Sequence, residues 1–308
     1  MKQLIFLVVP LLFLNCGGSS KSASESISNP ITERKTRREP VKPLKKIEVN
    51  QNIANIGDRL FHDAKLSGNG TVSCASCHNI ETAGVDNLQF SKGINEVLEG
   101  VNTPTVINSA YNFRQFWNGR ALNLKEQAEG PLLNPDEMGN NWESILNYLK
   151  SDNQYEKAFS ECFEKGLTQE NILAAISEFE KTLVFESRFD DYLYFQEKAI
   201  TDQELEGYNL FKNYGCVSCH NGINIGGGMY QKFGLAGNYF KDRGNINEFD
   251  YGLFNVTKKE VDRFYFKVPS LRNVAKTYPY FHDGSVKTLK DAINTMARYQ
   301  LGNPLDSV

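Results

Sequence analysis

The stretch Thr71–Ile80, TVSCASCHNI, sets Cys74 and Cys77 two residues apart with His78 directly after, and Tyr214–Ile223, YGCVSCHNGI, repeats the arrangement at Cys216, Cys219 and His220. Cys-x-x-Cys-His is the spacing of covalent c-type haem attachment. Two thioether bonds fix the porphyrin edge, and the adjacent imidazole reaches the iron as proximal ligand. A zinc site would pair Cys-x-x-Cys units without needing a histidine after each, and a thioredoxin-like redox pair needs none. The repeat therefore predicts two covalently bound haem c groups, one near each end of the chain.

Working outward, 308 residues suggest two domains of ordinary size, and 40% hydrophobic with 23% charged residues allow most of the chain to fold around a core. A formal charge of −3 gives no basis for nucleic-acid binding. Residues 1–16 read as an export signal: Lys2, an apolar run from Leu4 to Leu14, then Asn15-Cys16, too short to span a membrane. The pattern resembles a lipoprotein signal, with Cys16 as the lipidated residue, although Asn15 replaces the usual small residue; an ordinary cleaved signal is the other reading. Either way the expected compartment is the periplasm, and the membrane is reached only through that lipid. With Cys16 lipidated and four cysteines on haem, Cys162 remains as a small hydrophobe, and no disulfide framework is needed.

Residues 17–50 are Ser-rich, then basic and Pro-punctuated (ERKTRREPVKPLKK), and are expected to form a flexible tether. Beyond them helical spacing dominates. Ile53, Ile56 and Leu60 precede the first motif, and Trp142, Ile145, Leu146 and Leu149 form a second stripe. Thr168 caps a helix with Ile172, Ile176, Phe179 and Leu183 on one face. Thr201 and Glu204 form a capping box ahead of Leu205, Leu210 and Phe211, and Thr288 with Asp291 starts a last helix bearing Leu289, Ile293 and Met296. The expected fold is mainly α: two cytochrome c-like haem domains packed against each other, residues 51–197 and 198–308, with long irregular loops.

Along the chain run LFHDAKLSGNGTVSCASCHN, NTPTVINSAYNFRQFWNGRALNLKEQAEGP, NPDEMG, GCVSCHNGINIGG and FKVPSLRNVAKTYPYFHDGSVKTLKDA. From about residue 50 onward these segments resemble the bacterial dihaem cytochrome c peroxidases. The resemblance implies reduction of hydrogen peroxide at the haem on Cys74, Cys77 and His78, and an electron-storing haem on Cys216, Cys219 and His220 with Met296 as sixth ligand. Met229 is the competing methionine. It further implies Glu137 as the acid–base group, Gln127 as its hydrogen-bonding companion and Trp117 as the aromatic between the haems. Asn102, Thr277 and Pro279 match positions around a calcium ion, and relatives are commonly homodimers fed by a small cytochrome c or cupredoxin.

The sequence also departs from the pattern. Many relatives block the first iron with a histidine in the loop after the first motif. Here that loop, GVDNLQFSKGINEVLEGVN, has no histidine, methionine or cysteine, and Ile94 stands at the aligned position. The first haem is then expected to be open without reductive activation. Of the four histidines, His62 reads as a packed or surface residue and His282 as a hydrogen-bonded structural one. The chain also stops at LGNPLDSV, short of a further helix in relatives. Two other functions are weighed: a dihaem electron carrier without peroxide chemistry, and oxidation of a protein substrate, as in methylamine dehydrogenase maturation. The Glu137/Gln127 pair argues against the first. Met296, where the maturation enzyme has a tyrosine, argues against the second.

Overall fold

The computed structural model describes residues 34–303; the export signal and Cys16 lie outside them. Asn50 starts helix α1 (Gln51–His62) by accepting the Asn52 and Ile53 N–H groups on its side chain. The expected stripe is buried at Ile56 and Leu60, and α1 crosses α6 (Gln169–Glu180), which Thr168 caps through the Asn171 N–H. The crossing is close because of Gly57: a Cβ there would lie 1.9 Å from the Ala175 carbonyl oxygen. Between α1 and α6 stand α2 (Cys74–Cys77), α3 (Leu124–Leu133), α4 (Trp142–Ser151) and α5 (Asn153–Cys162).

Leu60, Leu66, Leu132, Ile145, Leu149, Phe159, Ile172 and Ile176 pack as one cluster. Each such side chain taken fully from water contributes about 1.5–3 kcal/mol. Asp63, at the end of α1, accepts the hydroxyls of Tyr148 (2.8 Å) and Tyr155 (3.0 Å), pinning α4 and α5 to it. Leu183 lies beyond the end of α6 rather than on it, yet is buried beside Phe61, Val106 and Phe179.

The remaining chain is less regular. It contains α7 (Arg188–Leu193), α8 (Asp202–Asn213), α9 (Tyr239–Arg243), α10 (Phe254–Thr257) and α11 (Leu289–Met296). The Thr201/Glu204 capping box of α8 is formed. A two-stranded antiparallel sheet, which helical periodicity did not predict, joins β1 (Tyr230–Lys232) to β2 (Tyr265–Lys267) with Gln231 opposite Phe266. Here the core is aromatic: Phe233, Tyr239, Phe240, Phe266 and Tyr299, with Trp117, Phe281 and Met296 against it. On α11 the buried residue is Ala292, whereas Ile293 is 48% exposed, so the Leu289–Ile293 stripe does not face this core.

The tether expected over 17–50 is wrong from about Arg37 onward. The Arg37 N–H donates to the Leu193 carbonyl (2.9 Å), and its guanidinium lies 4.4 Å over the Tyr192 ring. Lys42 N–H donates to the Gly222 carbonyl (3.1 Å), Gly222 N–H to the Pro40 carbonyl (3.0 Å), and Leu44 N–H to Asp190 (2.8 Å). Val41 and Leu44 are fully buried. Two apolar residues suffice because the intervening main chain is paired and its charges have partners: Arg37 with Glu197, and Glu39 with Lys212 and the Tyr208 hydroxyl. This strap is fastened by Arg272, whose guanidinium grips Asp190 with both forks (2.9 and 3.0 Å) and also donates to the Lys42 and Ile223 carbonyls.

Candidate functional site

Ser73 and Ser76 cap each other around the single turn Cys74–Cys77, and the His78 N–H closes that turn on the Cys74 carbonyl (2.9 Å). His78 Nδ1 lies 3.2 Å from the Gly84 carbonyl oxygen. Donation from Nδ1 fixes the tautomer and leaves the Nε2 lone pair for a metal. Burial holds the His78 pKa below its ordinary value, so the ring is neutral, as a ligand must be. The thiols are also neutral: burial, then Glu180, pushes Cys74 up to about 12, and burial, then Asp86, pushes Cys77 up to about 11. Such sulfurs suit thioethers, not thiolate ligation, and no group of three or more His, Cys, Asp and Glu among the described residues is arranged to hold a metal ion.

The second motif follows Gly215, whose φ of +80° lets the chain turn into it, and His220 N–H again bonds the first cysteine's carbonyl (2.9 Å). His220 Nδ1 is buried without a hydrogen-bond partner among the described residues. A Cβ on Gly226 would come within 3.3 Å of it and 2.2 Å of the Pro269 carbonyl, so only glycine lets the backbone pass this ring. Met296 ends α11 against the aromatic core, whereas Met229 sits just before β1 with its carbonyl bonded to the Val268 N–H (2.9 Å).

Glu137 stands in the turn after α3. Its carboxylate accepts the Asn134 side-chain amide (2.9 Å), and its N–H donates to the Asn134 carbonyl (3.1 Å). Two segments clamp the turn: Gly68 N–H donates to the Met138 carbonyl (2.7 Å), and Ile94 N–H to the Glu137 carbonyl (2.8 Å). A Cβ on Gly93 would lie 1.7 Å from the Asp136 carbonyl oxygen, and one on Gly139 2.2 Å from Ile94 Cδ1. Ile94, itself buried, thus rests directly on the acid-bearing turn. Burial raises the Glu137 pKa, opposed by the Asn134 hydrogen bond and by Arg120. Both Cys74 and Cys77 feel its charge weakly, behind burial and the nearer acids Glu180 and Asp86. Gln127 is half-buried on α3, two turns before the Glu137 turn.

Trp117 joins the halves of the chain. Its indole N–H donates to the Asn102 carbonyl (2.8 Å), and its own carbonyl accepts the Lys267 N–H (2.9 Å). Its ring centroid is 6.4 Å from that of His282. His282 is buried, bonds Asp250 through Nε2 (2.8 Å) and accepts the Asn102 N–H on its carbonyl (2.7 Å). Asn102 turns its amide nitrogen to the Leu88 carbonyl (2.9 Å), which directs Oδ1 elsewhere. Asn87 bonds the Lys276 and Tyr278 carbonyls (3.0 and 2.8 Å), the neighbours of the Thr277 and Pro279 carbonyls. His62 is an exposed residue at the end of α1, bonded to the Asp58 carbonyl (2.9 Å).

Three ionisable groups were not anticipated. Glu99 and Arg120 interact electrostatically with Glu137, and the buried Glu180 with Cys74. Each is a single charged residue in a loop or at a helix end, a pattern that in sequence looks like solvated surface.

A family model described as di-haem cytochrome c peroxidase matches residues 51–198. The cytochrome c551 peroxidase of Nitrosomonas europaea is 44% identical over 96% of this chain and 85% of its own length. The cytochrome c peroxidase Ccp of Escherichia coli is 43% identical over 93% of this chain, which spans 62% of that longer protein. A solved MauG-like protein associated with microbial copper homeostasis superposes with a TM-score of 0.72 at 31% identity, over 83% of this chain and 79% of its own. Two paired-cysteine turns, each closed by the main-chain N–H of the histidine that follows, and relatives of this likeness over most of the sequence lead to one conclusion: the chain belongs to the di-haem cytochrome c peroxidase family.

Proposed function

We propose that the chain reduces hydrogen peroxide to water at the haem site of Cys74, Cys77 and His78, without prior reductive activation. The observation that carries this is apolar Ile94, with no ligating group, seated against the turn that bears Glu137. Bound haem would supply the iron that accepts peroxide and passes it two electrons. Glu137 would take the proton from one peroxide oxygen and return it to the other as the O–O bond breaks, a role for which burial raises its proton affinity. Asn134 aims its carboxylate, and Gln127 hydrogen-bonds in the same pocket. Electrons come one at a time from a small cytochrome c or cupredoxin through the site of Cys216, Cys219, His220 and Met296. Trp117, anchored on Asn102 and Lys267, bridges the two sites.

One calcium ion held by Asn102 Oδ1 and the Thr277 and Pro279 carbonyls would brace this bridge, since hard oxygen donors suit it. Export to the periplasm, a lipid on Cys16 and a homodimer complete the proposal. The test of the chemistry is Glu137→Gln with both haems attached. Peroxide turnover should fall about 10²–10⁴-fold while the haem spectra stay unchanged; turnover within threefold of wild type removes Glu137 from the mechanism.

A further inference from the structure

Among the described residues two lysine or arginine side chains are buried, Arg272 and Lys267. Arg272 holds Asp190 on both forks (2.9 and 3.0 Å). Lys267, 5% exposed on β2, has no such counterpart. Among the described residues its amine makes no ion pair and no hydrogen bond, and no acid acts on its charge. Burial alone pushes its pKa down to about 8. A buried ammonium without an anion is strongly disfavoured, so this position asks for a negatively charged partner from outside the chain.

The strand fixes where that partner must lie. Phe266 packs into the aromatic core against which Met296 rests, its ring centroid 4.5 Å from that of His282. Side chains alternate across a strand, so Lys267 faces the other way, beside its cross-strand neighbour Tyr230. Tyr230 donates its hydroxyl to the Gly119 carbonyl (3.1 Å) and meets the Phe113 ring edge-on at 5.1 Å. This face of β2 therefore looks onto the loop that carries Trp117, whose carbonyl accepts the Lys267 N–H (2.9 Å). Just beyond Lys267 the same run of chain passes the second motif. The Val268 N–H and carbonyl bond Met229 and Gly227 (2.9 and 2.7 Å). A Cβ on Gly226 would lie 2.2 Å from the Pro269 carbonyl oxygen and 3.3 Å from His220 Nδ1. Lys267 thus stands two residues from the backbone at the His220 ring and one hydrogen bond from Trp117. Nothing acidic is supplied from the facing loop: the charge that acts on Tyr230 is that of Arg114, another cation.

We propose that Lys267 is a haem-carboxylate clamp, its ammonium ion-pairing with a propionate of a haem attached at this crossing of the two halves. Haem carries two propionate carboxylates, and the orphaned ammonium fits one of them. The second haem would reach it past Pro269 and His220, and the first from the side of the Trp117 loop. The inference rests on haem attachment at the paired motifs and not on the peroxide chemistry proposed above. Its consequence is electrostatic. A bare propionate favours ferric over ferrous iron and so lowers the potential, whereas a propionate neutralised by Lys267 does not.

The test is a redox titration of each haem, followed by its own optical band, in the haem-loaded protein across a range of pH. In Lys267→Met the reduction equilibrium of the clamped haem should shift about tenfold toward the ferric form near pH 8, about 59 mV for one electron. The shift should shrink toward about pH 5.5, where the stranded propionate takes up a proton. Lys267→Arg, which keeps the charge, should stay within about twofold of wild type throughout. The haem whose potential moves more is the one that supplies the propionate. The clamp is overturned if Lys267→Met leaves both equilibria within about twofold of wild type near pH 8, or moves them equally at every pH, as a loss of packing would. If Lys267→Met fails to attach haem, Lys267→Gln takes its place under the same criteria. If that variant fails too, the propionate bending band in the resonance Raman spectrum of Lys267→Arg decides: a band moved from its wild-type position supports the contact, and an unmoved band refutes it.

Discussion

At the scale of single residues, the chemistry turns on groups whose surroundings set their charge. Glu180 is buried, leaves Oε2 without a partner among the described residues, and is pushed by burial up to about 8. An unfolded glutamate titrates near pH 4.3. The raised folded value means that the stabilisation of protonated Glu180 is complete below about pH 4.3 and lost as pH rises through about 8. The melting temperature should therefore fall over that window, by an amount on the order of a few kcal/mol in stability, and Glu180→Gln should flatten the fall. Thermal melts at a series of pH values would read this directly; equal slopes in both proteins would show that Glu180 does not titrate there. Ile94→His tests the open pocket by restoring a ligand-bearing side chain on the Glu137 turn. Turnover should then start after a lag that pre-reduction abolishes, with a low-spin first haem in the resting spectrum; prompt turnover would show that this position cannot reach the iron.

The same residues show what sequence can reveal. The haem cysteines and histidines are legible because their spacing has one chemical use. Glu137 and Gln127 were proposed only through resemblance, since an isolated acid or amide is ordinarily solvated. Glu99 and Glu180 carried no local signal; their burial comes from chain segments tens of residues away.

At the scale of elements, periodicity and caps located α1, α4, α6, α8 and α11, whereas α3 and α5 were not anticipated. Thr168, Thr201 and Thr288 start α6, α8 and α11 as their side chains dictate. The failure was the strap, where a basic, Pro-rich composition concealed two buried anchors, Val41 and Leu44. The short strands β1 and β2 were missed because three residues each are too few to show alternation. Gly57 is the element-level weak point of the first half. Gly57→Ala puts a Cβ 1.9 Å from the Ala175 oxygen, so α1 and α6 must separate. The expected cost is about 1–3 kcal/mol, read as a lower denaturation midpoint with haem content retained. A midpoint raised by the better helix former would show that the crossing yields freely.

At the scale of the whole molecule, the strap, α7 and the loop after the second motif meet at Arg272 and Asp190, both almost fully buried. Removing one partner of such a pair strands the other charge, at about 3–5 kcal/mol. Arg272→Met should lower stability by that amount and leave the 37–44 segment open to proteolysis, while Arg272→Met with Asp190→Leu should recover part of the loss. A single variant as stable as wild type would show that the strap is held by its main-chain bonds alone. The paired motifs announced two haem sites, but only the folded chain shows how Trp117, Asn102 and His282 tie the loop after the first motif to that beyond the second. Two of these ties, Lys267 N–H to the Trp117 carbonyl and Asn102 N–H to the His282 carbonyl, are main-chain bonds, which any sequence could make.

We propose a peroxidase whose first haem site is ready without activation. The most direct measurement mixes fully oxidised, never-reduced enzyme with hydrogen peroxide and a reduced small cytochrome c, and follows oxidation of the cytochrome from the first turnover. Immediate linear oxidation is the predicted result. A lag that vanishes after pre-reduction would contradict the open site, and no oxidation under either condition would contradict the peroxidase itself.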